Sequence, residues 1–274
     1  MWITLAGSLL ILQFNRTIAV VLLLTTLVWG LIDGVLAWSG MGFMGLLALA
    51  AAVNVAYRSH PGARRATELF LVAGVVALTL HLAPGFHNPK VLDNVHVGPQ
   101  SAAFSMYFNL DKALIPFVLL ACMPTLFSSS PARSPGKWVW CLLALAVPML
   151  LWGAVLAGGL KLETHNPSWL WSFMLANLFF VSLAEEALFR GYLQQRLAGV
   201  VSPWLALIVS ALLFGVMHFA GGVLQVAFAA LAGLLYGLAW MWSGRLWVAT
   251  LFHFGLNLCH LLFFTYPMLQ RGVS

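Results

Sequence analysis

Nine apolar runs, at roughly 17–37, 41–57, 67–83, 112–127, 138–160, 168–189, 204–220, 222–242 and 246–264, make up most of this 274-residue chain. Several hold about 20 residues, the length a helix needs to cross a hydrocarbon core of about 30 Å. In that solvent each backbone N–H and C=O must be satisfied within its own segment, so such runs dictate helices. The expected fold class is therefore all-α: a polytopic transmembrane helical bundle with eight or nine spans. The composition agrees, with 62% hydrophobic and 7% charged residues against about 25% charged in a soluble domain. No polar stretch is long enough for a separate soluble module. Residues 1–137 form an N-terminal region without an assigned motif and residues 138–274 a core that carries the motifs, together one integral domain. The stretch 2–14 is too short to span alone and reads as an interfacial helix or half of a bent one.

The net charge of +6 does not indicate nucleic acid, because the basic residues lie scattered in short loops instead of forming a stripe. They set topology. If Arg58, His60, Arg64 and Arg65 lie on the cytoplasmic side, strict alternation brings Arg133, Lys137, Arg190, Arg196 and Arg245 to that side as well. The 84–111 and 161–167 loops fall on the other, where Lys90, Lys112 and Lys161 are offset by Asp93, Asp111 and Glu163. The stretch 2–14 lacks the basic start and cleavage site of a removable signal, and the compact chain suits a multi-pass protein of a prokaryotic plasma membrane. Cys122, Cys141 and Cys259 lie in apolar runs without metal-ligand spacing and read as small buried hydrophobes. Trp138, Trp140, Trp169, Trp171, Trp240 and Trp242 gather near span ends as an interfacial belt does.

Of only seven acidic residues, two stand side by side in hydrocarbon, in Glu185-Glu186-Ala-Leu-Phe-Arg190. A carboxylate there costs about 2.5–3.5 kcal/mol on insertion scales, so the pair has to be sheltered and partnered. On a helix Glu186 and Arg190 share a face, while Glu185 is turned about 100° away and left free. The plainer alternative is an ion pair that only fixes packing. A second constellation is Phe214-Gly-Val-Met-His218, whose spacing lets the phenyl ring pack beside the imidazole. Alone, that histidine reads as a packed or interfacial residue. The third is His253-Phe-Gly-Leu-Asn257, in which an imidazole and a carboxamide one turn apart can present donors to one developing oxyanion. They can equally bond across helices and hold the bundle together. At ~1.5 Å per residue, Glu185, His218, His253 and Asn257 all fall in one middle layer of the bilayer, roughly 12–22 Å from the helix ends on the expected cytoplasmic side, near Arg196, Pro203 and Arg245. Polar residues of three helices that agree in depth suit one water-containing cavity.

The ordered set Glu-Glu-x-x-x-Arg, Phe-x-x-x-His and His-x-x-x-Asn on successive apolar helices resembles the CAAX protease and bacteriocin-processing (Abi) family of intramembrane endopeptidases, type II CAAX prenyl endopeptidase-like. The resemblance covers about residues 168–264 and implies an eight-helix core with a glutamate-dependent peptidase activity. It implies Glu185 as the catalytic glutamate, Glu186 and Arg190 as its supporting pair, His218 as the second-helix histidine, and His253 and Asn257 on the oxyanion side. Asn109-Leu-Asp111-Lys112 is also similar to a segment that precedes a span in some bacterial members.

The reaction these residues suit is hydrolysis of a peptide bond by a water that Glu185 deprotonates and His218 orients, with His253 and Asn257 holding the oxyanion and Phe214 supporting the histidine. Ser182, one turn before Glu186, has no histidine assigned to it as a nucleophile needs. No cofactor is expected. A zinc site on Glu185, His218 and His253 is the competing enzymatic reading, although the His-Glu-x-x-His spacing is absent. A proton-coupled transporter and a non-catalytic membrane scaffold are the alternatives from other classes. Expected partners are the lipid bilayer and a peptide or membrane-anchored precursor substrate. CAAX specificity and oligomeric state are left open. Asp33 reads as interfacial, His260 as a packed neighbour, and His87, Asp93 and His96 as part of a solvated connector.

Overall fold

The computed structural model describes residues 1–131 and 135–270; Arg133 lies outside the described residues. The chain is 69% helix. Its helices are α1 (Trp2–Ile11), α2 (Arg16–Ile32), α3 (Trp38–Ala56), α4 (Pro61–Thr79), α5 (Leu110–Ala113), α6 (Ile115–Cys122) and α7 (Lys137–Leu156). A long helix, α8 (Leu170–Ala198), follows, then α9 (Pro203–Val216), α10 (Gly222–Ser243) and α11 (Leu246–Phe263). Among the described residues, five helices are long and apolar enough to cross a membrane: α3, α7, α8, α11 and the span Phe219–Ser243 that contains α10. Shorter apolar helices are α1, α2 and α9. This is an integral membrane protein.

Two features depart from the expected all-α bundle. The run 112–127 is not one helix: α5 and α6 are separated at Leu114, with Pro116 in the first turn of α6 and Pro124 just past its end. Proline removes an N–H and clashes with the preceding turn, which limits α6 to eight residues. What remains is buried between α3, α4 and α8, with Leu114 and Leu119 fully covered. The second departure is in the 84–111 loop, which is not a simple connector. It folds into an antiparallel hairpin, β1 (Lys90–Val95) with β2 (Phe104–Tyr107), whose register shifts twice.

Different polar contacts hold the two ends of the bundle. At one end the tail after α11 threads between two loops: Thr265 N–H donates to Lys161 O at 2.9 Å, and Gln270 N–H to Gln100 O at 2.8 Å. There Glu163 accepts from Ser101 Oγ at 2.6 Å, Gln100 N–H at 2.9 Å and His165 Nε2 at 3.0 Å. Burial opposes ionisation of Glu163, but the Ser101 hydroxyl, the Gln100 amide and His165 outweigh it and hold the carboxyl below its usual 4.5. At the other end Arg196 pairs with Glu68 at 2.6 Å and donates to Cys122 O at 3.1 Å. Asp33 is exposed just past the end of α2, as an interfacial acid should be.

One face of the N-terminal stretch is buried against the bundle. Leu5, Ser8 and Leu9 are fully covered, and Ser8 Oγ donates to Ala19 O at 2.6 Å, tying α1 to α2. Trp2 reaches α8, its ring 5.6 Å from that of Phe180.

Candidate active site

The site is built on α8. Its backbone winds as a π-helix over Ala176–Ser182 and again over Ala187–Gln194, leaving the single α turn Leu183–Glu186 between them. π segments within helices recur at functional sites. The turn between them carries both glutamates.

Glu186 and Arg190 are both 0% exposed, and Arg190 Nη1 donates to Glu186 Oε1 at 2.8 Å. The expected pair forms, but Arg190 is not a topology charge at a helix end. It is committed in the interior. Its Nη2 donates to Gly233 O at 2.9 Å, and the guanidinium lies over the Phe214 ring at 4.6 Å and the Tyr236 ring at 5.3 Å. A Cβ at Gly233 would stand 3.1 Å from both Arg190 Nη2 and Ala211 Cα. Glycine is what lets α9 and α10 close over the cation.

The same Oε1 of Glu186 accepts from His253 Nδ1 at 2.9 Å, so Arg190, Glu186 and His253 form one buried chain across α8 and α11. A carboxylate only accepts, so Nδ1 of His253 carries its proton. The ring is fixed on two further sides: it stacks on Tyr236 at 4.7 Å with 11° between the planes, and meets Phe214 edge-on at 5.7 Å.

His218 follows the end of α9. Its ring lies 4.8 Å from that of Phe214, as their spacing predicts, and Nδ1 donates to Phe214 O at 2.9 Å. A carbonyl only accepts, so in the neutral imidazole Nε2 is left with its lone pair.

His218, His253 and Asn257 line one cavity of about 850 Å³. Its walls also include Phe104 and Tyr107 of the hairpin, Leu151 and Ala154 of α7, and Met268 of the tail. The 84–111 loop thus contributes wall to the site. Asn177 is a member that sequence reasoning missed. It lines the cavity, and its Oδ1 accepts from Asn257 Nδ2 at 3.2 Å and from Ser182 Oγ at 3.2 Å. The available signal was a carboxamide inside the run 168–189, eight residues before Glu185 and so about two turns along the same helix. Ser182 is buried and donates to Asn177, in keeping with a residue that is no nucleophile.

Glu185 is placed differently from the other three. It does not line the cavity; its Oε1 lies 3.9 Å from Lys112 Nζ on α5. Val181, one turn before Glu185, and Asn109, three residues before Lys112, are both in the cavity wall. The Glu185–Lys112 pair therefore stands just beyond one end of the cavity. Among the described residues no three His, Cys, Asp or Glu side chains are gathered as a metal site, and Glu185, His218 and His253 form no such cluster. His260 is a packing residue, its Nε2 donating to Thr265 O at 3.1 Å.

The fold and site define a helical integral membrane protein in which buried, mutually bonded polar side chains border an internal cavity. Residues 167–259 match the family model described as type II CAAX prenyl endopeptidase Rce1-like, which supports the resemblance of this segment to the CAAX protease and bacteriocin-processing family. The matched segment holds all seven motif residues from Glu185 to Asn257. No curated protein and no solved structure matches the chain.

Proposed function

We propose that this protein is an intramembrane endopeptidase that hydrolyses a peptide bond with a water activated by Glu185. The observation that carries this reading is the convergence of His218, His253 and Asn257 on one cavity, backed by the buried Arg190–Glu186–His253 chain. A structural ion pair alone has no need of a cavity beside it.

Glu185 continues the stripe of Asn177 and Val181 by one more turn, so a water at that end of the cavity is within its reach. Glu185 takes one proton of that water while its oxygen attacks the scissile carbonyl carbon; Nε2 of His218 accepts the other O–H and aims the attack. The carbonyl π electrons move onto the oxygen. Asn257, oriented by Asn177, donates to that oxyanion. His253, its ring fixed by Glu186 at Nδ1, turns Nε2 toward the same oxyanion. As the C–N bond breaks, the proton held by Glu185 passes to the leaving amine, which restores the carboxylate. No metal takes part in these steps.

The substrate is a peptide or membrane-anchored precursor that enters the cavity from the bilayer. We further propose that α2, α4 and α9 cross the membrane beside the five longer helices, giving eight spans. Their lengths of 17, 19 and 14 residues correspond to roughly 21–29 Å.

The test is mass spectrometry of membrane peptides from cells that carry wild type or Glu185→Gln. The substitution keeps size and removes the base, so a set of cleavage products should disappear while the variant accumulates at the wild-type level. An identical product set from the two strains would defeat the proposal.

A further inference from the structure

Lys112 belongs to none of the three motifs and lies outside the segment 167–259. Yet its side chain, 19% exposed, reaches Glu185, 17% exposed, across the interface between α5 and α8. Glu185 has no other ion-pair partner among the described residues.

The lysine is held there by a polar knot. Asp111, 1% exposed, accepts from Lys112 N–H at 2.8 Å, from Asn88 Nδ2 at 3.0 Å and from His81 Nδ1 at 2.6 Å. Asn88 Oδ1 in turn accepts from Leu110 N–H at 2.9 Å. His81 itself adopts a left-handed backbone, with φ of 57°, a conformation uncommon for residues other than glycine. Three side chains and a strained turn thus fix a helix of only four residues. A lysine that merely snorkelled to the membrane surface would not require this support.

The charges around Glu185 can be counted by element. On α8 itself Arg190 pairs with Glu186, and on α11 His253 is bonded to Glu186. On α5 Asp111 is turned toward His81 and Asn88, while α6 offers only Cys122, which bonds to Val118 O. Among the described residues Lys112 is the one cation that forms an ion pair with Glu185. The separation of 3.9 Å is too long for a hydrogen bond but short enough for strong attraction in a partly dry site. The ammonium therefore holds the carboxylate in place without occupying its lone pairs.

We propose that Lys112 is a positioning residue for Glu185: it fixes the carboxylate at the end of the cavity with its oxygens free to take a proton from water. This inference rests on the reading of Glu185 as the water-activating group. It makes the N-terminal half of the chain part of the machinery.

The test is a cycle of full-length variants in lipid nanodiscs: Lys112→Met, Lys112→Arg, Glu185→Gln and the double variant Lys112→Met/Glu185→Gln. Lys112→Met alone should lower the thermal midpoint by about 3 °C or more, whereas in the Glu185→Gln background it should change it by about 1 °C or less. On a peptide that wild type cuts and Glu185→Gln does not, Lys112→Met should lower kcat roughly tenfold or more with little change in KM, and Lys112→Arg should keep most of the rate. Wild-type kcat in Lys112→Met overturns the proposal. So does a Lys112→Arg variant as impaired as Lys112→Met, which would indicate packing alone. If Glu185→Gln itself cuts every wild-type product, the reading of Glu185 fails first, and the midpoints still report whether the two side chains are coupled.

Discussion

Replacing Arg190 by methionine should be among the most damaging single changes in this protein, and the structure indicates why. The guanidinium is wholly buried, pairs with Glu186 at 2.8 Å, donates to Gly233 O at 2.9 Å and faces the Phe214 ring at 4.6 Å. Removing one partner of a buried ion pair typically costs about 3–5 kcal/mol, because the other charge remains without compensation. The orphaned Gly233 carbonyl adds about 1–3 kcal/mol and the lost cation–π contact about 0.5–2 kcal/mol. These terms overlap, and His253 still donates to Glu186 Oε1, so a value at the bottom of the summed range is expected, about 4–5 kcal/mol. At roughly 2–4 °C per kcal/mol for a chain of this size, the midpoint should fall by about 8–20 °C. The assay is intrinsic fluorescence of the twelve tryptophans during heating in detergent, with size-exclusion chromatography to confirm a monodisperse start. Two companion variants locate the cause. Lys at 190 keeps a charge for Glu186 but loses the planar fork that also reaches Gly233, so it should fall in between. The double variant Arg190→Met/Glu186→Leu removes both charges and should recover much of the loss. A midpoint within about 2 °C of wild type for Arg190→Met, or a double variant no better than the single, would refute the reasoning.

Two further outcomes follow from the site and from the tail that closes over it. Asn177→Leu removes the acceptor that orients Asn257, and should lower turnover of a Glu185-dependent peptide roughly tenfold. Ser182→Ala, which deletes only the other donor to Asn177, should leave turnover within about twofold; equal losses would mean packing and not orientation. Glu163→Gln tests the clamp between the 98–102 loop and the 161–165 loop. The folded-state carboxyl of Glu163 lies below its usual 4.5, so its stabilisation is present above that pH and is lost as pH falls through the lower folded value. Wild type should therefore melt above the variant at pH 7, with the gap closing below pH 4.5; a gap constant with pH would exclude this account.

The features legible in sequence are those that hydrocarbon makes local. A run of about 20 apolar residues has one way to satisfy its backbone, so helices appear within nearly every run. The i, i+4 spacing is fulfilled for Glu186 with Arg190 because both ride on one helix, and for Phe214 with His218 because the turn that ends α9 folds the imidazole back onto the ring. What escaped was settled between segments. Nothing near Lys112 announces that it meets a residue 73 positions later, and its loop charge reads equally well as a topology signal. Asn177 looked like one polar residue in an apolar run until Asn257 approached it from α11. The hairpin hid for a related reason: its register shifts blur the two-residue alternation, and what holds it is contact with Tyr266 and Trp169, whose rings lie 5.0 and 5.4 Å from Phe104. In Arg190 the same local rule misleads, since a cation near the end of an apolar run reads as a boundary. The choice between boundary and interior depends on whether a neighbouring helix offers glycine. Gly233 does, and with it the bundle can close over a charge that would otherwise have to remain in water.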